Sequence, residues 1–320
     1  MDSRNFQPDQ AALQTIRSKI ADFEARRSAA KRARVLRAVL SLLVLVVAVW
    51  LVAWGFNTVA DPNEQWLSTP HVLLYVIALI VAVILFATAG AQLRELQRGM
   101  RDELMPAIFG FVDNVRYSKG TTPYTYPDLP HAVVGEFDEA SFDDVISGNA
   151  GFPFELYEAR FWQSGRTPDT RFHGMVTVFE LETPFPGLLV ATRKGHAVLS
   201  FFGGLFGRDR LDPLLSGDAG LDAVYDFRSD NPQAALPLVT GRLAQALQWL
   251  GESWPEEPAR IALSGKDGFL LLPTAKNFFE LPDGPEPVVF EKHVTPMIAD
   301  LGSLLATAAL VRKVGSSGEG

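Results

Sequence analysis

The 320-residue sequence contains no cysteine. That excludes disulfide frameworks, thiol nucleophiles and thiolate zinc sites. The common catalytic signatures are missing as well. There is no H-E-x-x-H and no G-x-S-x-G, and Ser264-Gly265-Lys266 lacks the upstream glycine of a phosphate loop. The five histidines, His71, His131, His173, His196 and His293, include no i, i+4 pair, so a helical two-histidine metal site is excluded. Charged side chains are absent from Ala38 to Ala60 and again from Val72 to Leu93, and the intervening residues 57–70 hold no lysine or arginine.

What is present divides into two parts. Hydrophobic residues make up 48% and charged residues 21%, which excludes a wholly disordered chain. The net charge of −8 conceals an asymmetry: residues 1–99 carry 11 basic and 7 acidic residues, whereas residues 100–320 carry 18 basic and 30 acidic. An excess of acid in the larger part argues against nucleic acid as a partner, because phosphate binding requires the opposite sign.

The uncharged stretches predict two transmembrane helices, at about residues 38–58 and 71–92. Roughly 20 helical residues cross the hydrocarbon layer at about 1.5 Å each. Arg26, Arg27, Lys31, Arg32, Arg34 and Arg37 precede the first stretch, and Arg94, Arg98 and Arg101 follow the second. The connecting residues offer only Asp61 and Glu64, together with the turn sequence Asp61-Pro62-Asn63. The positive-inside rule then predicts a bacterial inner-membrane protein with two spans and both termini cytoplasmic. Trp50, Trp54 and Trp66 lie near the outer boundary, where amphipathic rings favour the interface. A cleaved signal peptide fits poorly, since the leading region is long and carries acids as well as bases. Spans without an interior charge read as an anchor and not as a transport path.

Hydrophobic periodicity sets out the rest. Leu13, Ile16, Ile20 and Phe23 predict an amphipathic cytosolic helix within residues 1–37. Leu93, Leu96, Met100, Leu104, Ile108, Phe111 and Val115 predict a cytosolic helix over residues 94–117, interrupted at Pro106. Residues 118–314 predict a cytosolic α+β domain, and residues 315–320 a flexible tail. The domain opens with a proline-rich extended segment, Thr121 to Pro130. Strands are expected at Ala132–Phe137, Phe152–Trp162, Phe172–Leu181, Leu188–Arg193 and Leu221–Arg228, with Pro184 and Pro186 breaking the third from the fourth. A helix is expected at Pro237–Leu250, a hairpin at Ala259–Leu263 and Gly268–Leu272, and a last helix from Glu291 to Lys313. Strands that come in runs point to a mostly antiparallel sheet with packing helices.

Three stretches bear a family likeness. They are Phe142-Asp143-Asp144-Val145-Ile146-Ser147-Gly148 with Phe152-Pro153-Phe154-Glu155-Leu156-Tyr157-Glu158-Ala159, then Phe172-His173-Gly174-Met175-Val176, then Phe227-Arg228-Ser229-Asp230-Asn231-Pro232-Gln233-Ala234-Ala235 with a late Phe278-Phe279-Glu280. The chain thereby resembles the bacterial membrane-associated domain of unknown function numbered thirty-one thirty-seven, over about residues 95–295. The departures fall at Tyr225-Asp226-Phe227 and in the glycine-rich stretch after Ser200. The resemblance implies membrane attachment and a cytosolic domain, and it brings no catalytic residues with it.

No catalytic residue, cofactor or metal site is expected. The acids Glu136, Asp138, Glu139, Asp143 and Asp144 lack the ordered spacing of a calcium loop and read as a solvated face, although Asp143 and Asp144 are the pair a divalent cation would take first. The most unusual segment is Phe202-Gly203-Gly204-Leu205-Phe206-Gly207-Arg208, where aromatic side chains ride on a flexible backbone. Its plain reading is a strand end and a glycine turn. Its sharper reading is a loop that grips a partner or enters lipid, with Phe202, Gly203, Gly204, Leu205, Phe206 and Arg208 as the contact residues. The expected function is a membrane-anchored protein-interaction or scaffold module, its partners the bilayer and another protein or a second copy. The alternatives are a lipid-sensing module and an enzyme of unrecognised type that uses Asp143, Asp144 or Glu155 with His173.

Overall fold

A computed structural model describes residues 6–59, 69–89, 95–96, 99–165, 167–195, 211–282 and 286–314. The chain forms two compact units. One comprises Thr15–Leu104 with Pro282–Val288, and the other Met1–Gln14, Met105–Leu281 and Val289–Gly320.

The first helix, α1 (Gln10–Val59), runs 50 residues without a break. Asp9 opens it, its Oδ1 accepting from the Ala12 amide at 2.7 Å. No glycine or proline occurs between Gln10 and Trp54, so the helix expected before residue 37 feeds into the first apolar stretch without interruption. Its two halves differ in surroundings. Ile16, Ile20, Phe23, Arg27 and Ala30 form a buried stripe. From Val35 to Trp54 most of the large apolar side chains are exposed. The buried Arg27 guanidinium donates to Glu24 Oε1 at 2.9 Å and to the Glu286 carbonyl at 2.6 Å, and Glu24 also accepts from the Val288 amide at 2.9 Å. These bonds hold residues 286–288 on α1 and supply the acceptors that a buried cation requires. The second helix, α2 (Thr69–Ala89), is equally apolar and exposed at Leu73, Ile77, Leu79, Ile80, Val83 and Ile84. Ala38 and Leu42 of α1 share a groove with Ala82, Val83 and Leu85, while Trp50 and Ala53 share one with Tyr75 and Ala78. Numbers that rise on one helix as they fall on the other mark an antiparallel pair.

The third helix, α3 (Met100–Ile108), ends where a longer one is expected. Residues 113–119 are strand β1 (Asp113–Lys119) instead. Pro106 removes one amide, and a Cβ at Gly110 would lie 3.1 Å from the Pro106 carbonyl, a tight exit that only glycine takes easily. The remaining order is α4 (His131–Val134), β2 (Glu139–Asn149), β3 (Pro153–Gln163), β4 (Asp169–Arg193), β5 (Asp212–Leu214), α5 (Ala219–Val224), β6 (Tyr225–Ser229), α6 (Pro232–Val239), α7 (Arg242–Ser253), β7 (Arg260–Pro273) and α8 (Thr295–Arg312). The domain is α+β, and its sheet is antiparallel at every pairing, in the order β1-β2-β3-β4-β6-β5, with β7 on the other edge of β4.

The long strand β4 organises this sheet. Its first half pairs with β3 and its second half with β6, while β7 follows it almost throughout. The expected break at Pro184 and Pro186 is a pair of register shifts, between Glu180 and Phe185 and between Phe185 and Leu188. The expected hairpin across Gly265–Gly268 is likewise one strand, bent at Gly265 (φ +54°) opposite Phe185. Bulges of this kind bend a strand without ending it. The bend is large. Phe172 lies near the start of β4, and Arg260 leaves β7 near the end of β4, beside the Ala191–Ile261 pair. On a straight strand those positions would be roughly 60 Å apart at about 3.3 Å per residue. The Arg260 guanidinium instead lies 5.5 Å from the Phe172 ring centre.

Inside the curl, Val145, Tyr157, Phe161, Phe172, Val176, Phe269 and Leu271 meet Leu129, Val133 and Val134 of and beside α4. Residues 132–137 are expected to form a strand. They form the short helix α4 and a turn, because α4 packs into this core as a plug. Leu156, Met175, Thr177 and Leu270 belong to the opposite face by register. The last helix, α8, packs on β4 and β7 and is buried nearly all round. Two further expectations shift. The helix at 237–250 is two helices, parted at Gly241, where a Cβ would approach the Pro237 carbonyl to 2.8 Å. The strand at 221–228 is α5 followed by β6, with Asp218 capping α5 through the Gly220 and Leu221 amides.

Gly174 of β4 packs directly against the backbone at the end of β7. A Cβ there would stand 2.1 Å from the Leu272 carbonyl oxygen and 2.8 Å from the Thr274 nitrogen. Neither backbone group can turn aside. Gly174→Ala is expected to cost about 3 kcal/mol or more, whereas Gly251→Ala, in open space within α7, should leave the melting temperature unchanged or raised. Thermal unfolding of both variants checks this.

Candidate functional site

The polar chemistry of the sheet gathers at a bulge in β2. Phe142 pairs with Ala159 and Val145 with Tyr157, so Asp143 and Asp144 together oppose the single residue Glu158. One oxygen from each carboxylate lies within 4.8 Å of the others. Asp144 is fully buried and accepts from the Tyr117 hydroxyl at 2.5 Å. Lys119 Nζ stands 3.2 Å from Asp143 Oδ1. His173 Nε2 lies 3.8 Å from Glu158 Oε1. The bulge therefore gives three carboxylates ringed by an ammonium, a phenol and an imidazole. Three close carboxylates repel one another when all are ionised. An oxygen-only set of this kind suits a hard cation such as calcium or magnesium, or the sharing of protons.

The sequence-predicted residues meet mixed outcomes. Asp143 and Asp144 come together at the bulge, and the structure adds Glu158 to them; the solvated face expected for these acids does not hold at Asp144, which is fully buried. His173 joins through Glu158. Glu155 does not: its carboxylate accepts from the Tyr124 amide at 3.1 Å, the Thr125 amide at 2.8 Å and the Thr125 hydroxyl at 2.6 Å, and so holds the segment before α4. A quartet of Asp143, Asp144, Glu155 and His173 is thus not one site. Phe202, Gly203, Gly204, Leu205, Phe206 and Arg208 lie outside the described residues. Of the other histidines, His131 stacks on Phe137 at 4.8 Å, and His293 Nδ1 accepts from the Val289 amide at 3.0 Å. Both are used in packing and turn formation. Glu158 was missed because strand pairing alone brings it to the bulge.

Among the described residues, two helical stretches are long and apolar enough to cross a membrane by length and composition. Gln10–Gly55 has an 18-residue window of mean hydropathy 2.8, none of it buried. Phe290–Arg312 reaches 1.6 with 67% of its window buried, so it serves as a core helix of the α+β domain.

No family profile and no curated protein matches the chain. Among solved structures, the crystal structure of the mycobacterial trehalose monomycolate transport factor A, TtfA, is similar at 13% identity and a TM-score of 0.37, covering 62% of this chain and 86% of that one. A likeness at that level assigns no function to this chain.

Removing the phenol beside the buried Asp144 tests the bulge. Tyr117→Phe is expected to lower stability by roughly 1–3 kcal/mol, the cost of a buried carboxylate deprived of a donor. Thermal unfolding reads the loss, and Tyr124→Phe, at an 88% exposed position, should show none.

Proposed function

We propose that this chain is a two-span protein of the bacterial inner membrane whose α+β domain, on the cytoplasmic side with both termini, acts as a protein-interaction or scaffold module. Kinship with the domain of unknown function thirty-one thirty-seven belongs to the same reading, and it rests on the motifs that fall in β2, β3, the start of β4, and β6 with the start of α6, together with Phe278-Phe279-Glu280. The observation that carries the reading is the exposure of the apolar half of α1 and of α2. Leu42, Leu43, Val44, Val46, Trp50 and Leu51 are each at least half exposed, as are Leu73, Ile77, Leu79, Ile80, Val83 and Ile84. A large apolar side chain left in water forgoes roughly 1.5–3 kcal/mol of burial free energy. A protein surface does not carry a dozen of them in one band without a partner, and a bilayer is the partner whose thickness matches about 20 helical residues. Arginines flank both stretches while residues 57–70 hold none, which supports the cytoplasmic placement of the domain.

Because the chain has no cysteine, single cysteines report topology against a silent background. Asp61→Cys is expected to react with a membrane-impermeant maleimide on intact cells, and Tyr124→Cys only after permeabilisation. The reverse pattern would invert the topology, and equal reaction of both without permeabilisation would remove the two-span reading. For the module itself, pull-down of the full chain from native membranes should enrich a protein that residues 1–117 alone do not. Identical captures would count against it.

A further inference from the structure

The curl of β4 and β7 leaves a groove of about 380 Å³ at its seam. Both ends of β7 reach it: Arg260 from the start, Pro273 and Thr274 from the end. Phe172 and His173 come from the start of β4, and Glu256 and Glu257 from the turn after α7. Arg260 is 3% exposed. A guanidinium carries five N–H donors, and here they are poorly used. Nη1 reaches the Val134 carbonyl at a long 3.5 Å, and Nη2 stands 3.8 Å from Glu257 Oε1, beyond hydrogen-bond reach. Nε has no acceptor. Glu257 is divided as well, since Arg193 Nη1 lies 3.8 Å from the same oxygen. The Phe172 ring covers one face of the guanidinium. Burial pushes the Arg260 pKa down to about 10, with Glu257 opposing the shift and Arg193 adding to it. The group still stays charged at neutral pH, so the floor of the groove holds a permanent cation short of acceptors. Such a group is costly unless an anion completes it.

The walls limit which anion. Glu256 is exposed, and its Oε2 accepts from the Thr274 hydroxyl at 3.3 Å. Arg171 also lines the groove, but its guanidinium is engaged by Asp169 Oδ2 at 3.0 Å and by the Glu136 carbonyl at 3.2 Å, so a phosphate dianion would face Glu256 and Glu257 together. A planar carboxylate matches the guanidinium fork, and an ammonium a few atoms away would meet the two glutamates. The volume is at the small end of ligand pockets, which start at about 300 Å³. We propose that this groove binds a small zwitterion of amino-acid type, its carboxylate on Arg260 and its ammonium toward Glu256 and Glu257. The inference is independent of the membrane reading, because every residue in it belongs to the α+β domain.

The test is calorimetric titration of the full chain in mild detergent, at millimolar ligand. The probes are glycine and L-leucine, their halves acetate, 4-methylpentanoate, methylammonium and 3-methylbutylamine, and inorganic phosphate. Saturable binding is expected for at least one amino acid, with each half weaker by roughly tenfold or more, the worth of a charge-assisted hydrogen bond. Arg260→Gln should abolish it. Glu256→Gln, at an exposed position where the fold is indifferent, should weaken the amino acid by a similar factor and leave the carboxylate half unchanged. Absence of saturable binding by both amino acids overturns the proposal. So does phosphate binding more tightly than either, a carboxylate half binding as well as its parent, or amino-acid binding that survives Glu256→Gln undiminished.

Discussion

The bend in the β4/β7 ribbon is the constraint on which the α+β domain depends. Two strands paired over most of their length would form a stiff, nearly straight ladder. Here the ladder slips twice, at Phe185 and before Leu188, and Gly265 takes a left-handed backbone opposite the first slip. The ribbon then turns far enough that Arg260 meets the Phe172 ring. Once it has turned, one face becomes concave and needs filling. The aromatic run of Tyr157, Phe161, Phe172 and Phe269 fills it from the sheet, and α4 fills it from outside. The second half of β4, released from β3 by the same bend, takes β6 as its neighbour. Sheet order, core and seam groove all follow from one flexed pair of strands.

The acidic bulge obeys a similar logic on a smaller scale. An extra residue in β2 sets two aspartates against one glutamate, and the surroundings answer with Tyr117, Lys119 and His173 from the flanking strands. Arg27 on α1 meets the same kind of need with a carboxylate and a carbonyl. Arg260 is buried to the same degree but receives one long hydrogen bond and one distant carboxylate, which it shares with Arg193. Three buried or half-buried charge sites in one chain thus differ mainly in how completely their partners surround them.

Local rules were legible where they acted alone. The absence of glycine and proline from Gln10 to Trp54 is enough for one long helix, whereas the helix expected to open at Pro237 opens five residues earlier, with Asn231 capping and Pro232 in the first turn of α6. The α+β class and the antiparallel sheet were legible from the runs of β-branched and aromatic residues. Elements went astray where long-range packing overrode punctuation. Pro184 and Pro186 look like a strand break, and Gly265 and Gly268 look like a hairpin turn, yet each lies at the bent centre of a strand that its neighbour keeps continuous. Ala132–Phe137 has strand composition, yet Val133 and Val134 serve better as the plug of a concave core.

The sequence by itself determined the unbroken run of α1, the apolar stretches of α1 and α2, the uneven distribution of charge and the absence of thiol chemistry, because each of these is a property of neighbouring residues. Tertiary structure alone decided that the helix Phe290–Arg312, long and apolar enough to be a span by composition, is a core helix while the apolar half of α1 stays exposed. It alone joined Glu158 to Asp143 and Asp144, and Arg260 to Phe172 and Glu257. Those meetings depend on register and on the bend of a strand, and both are set by pairing energies between segments far apart in the chain.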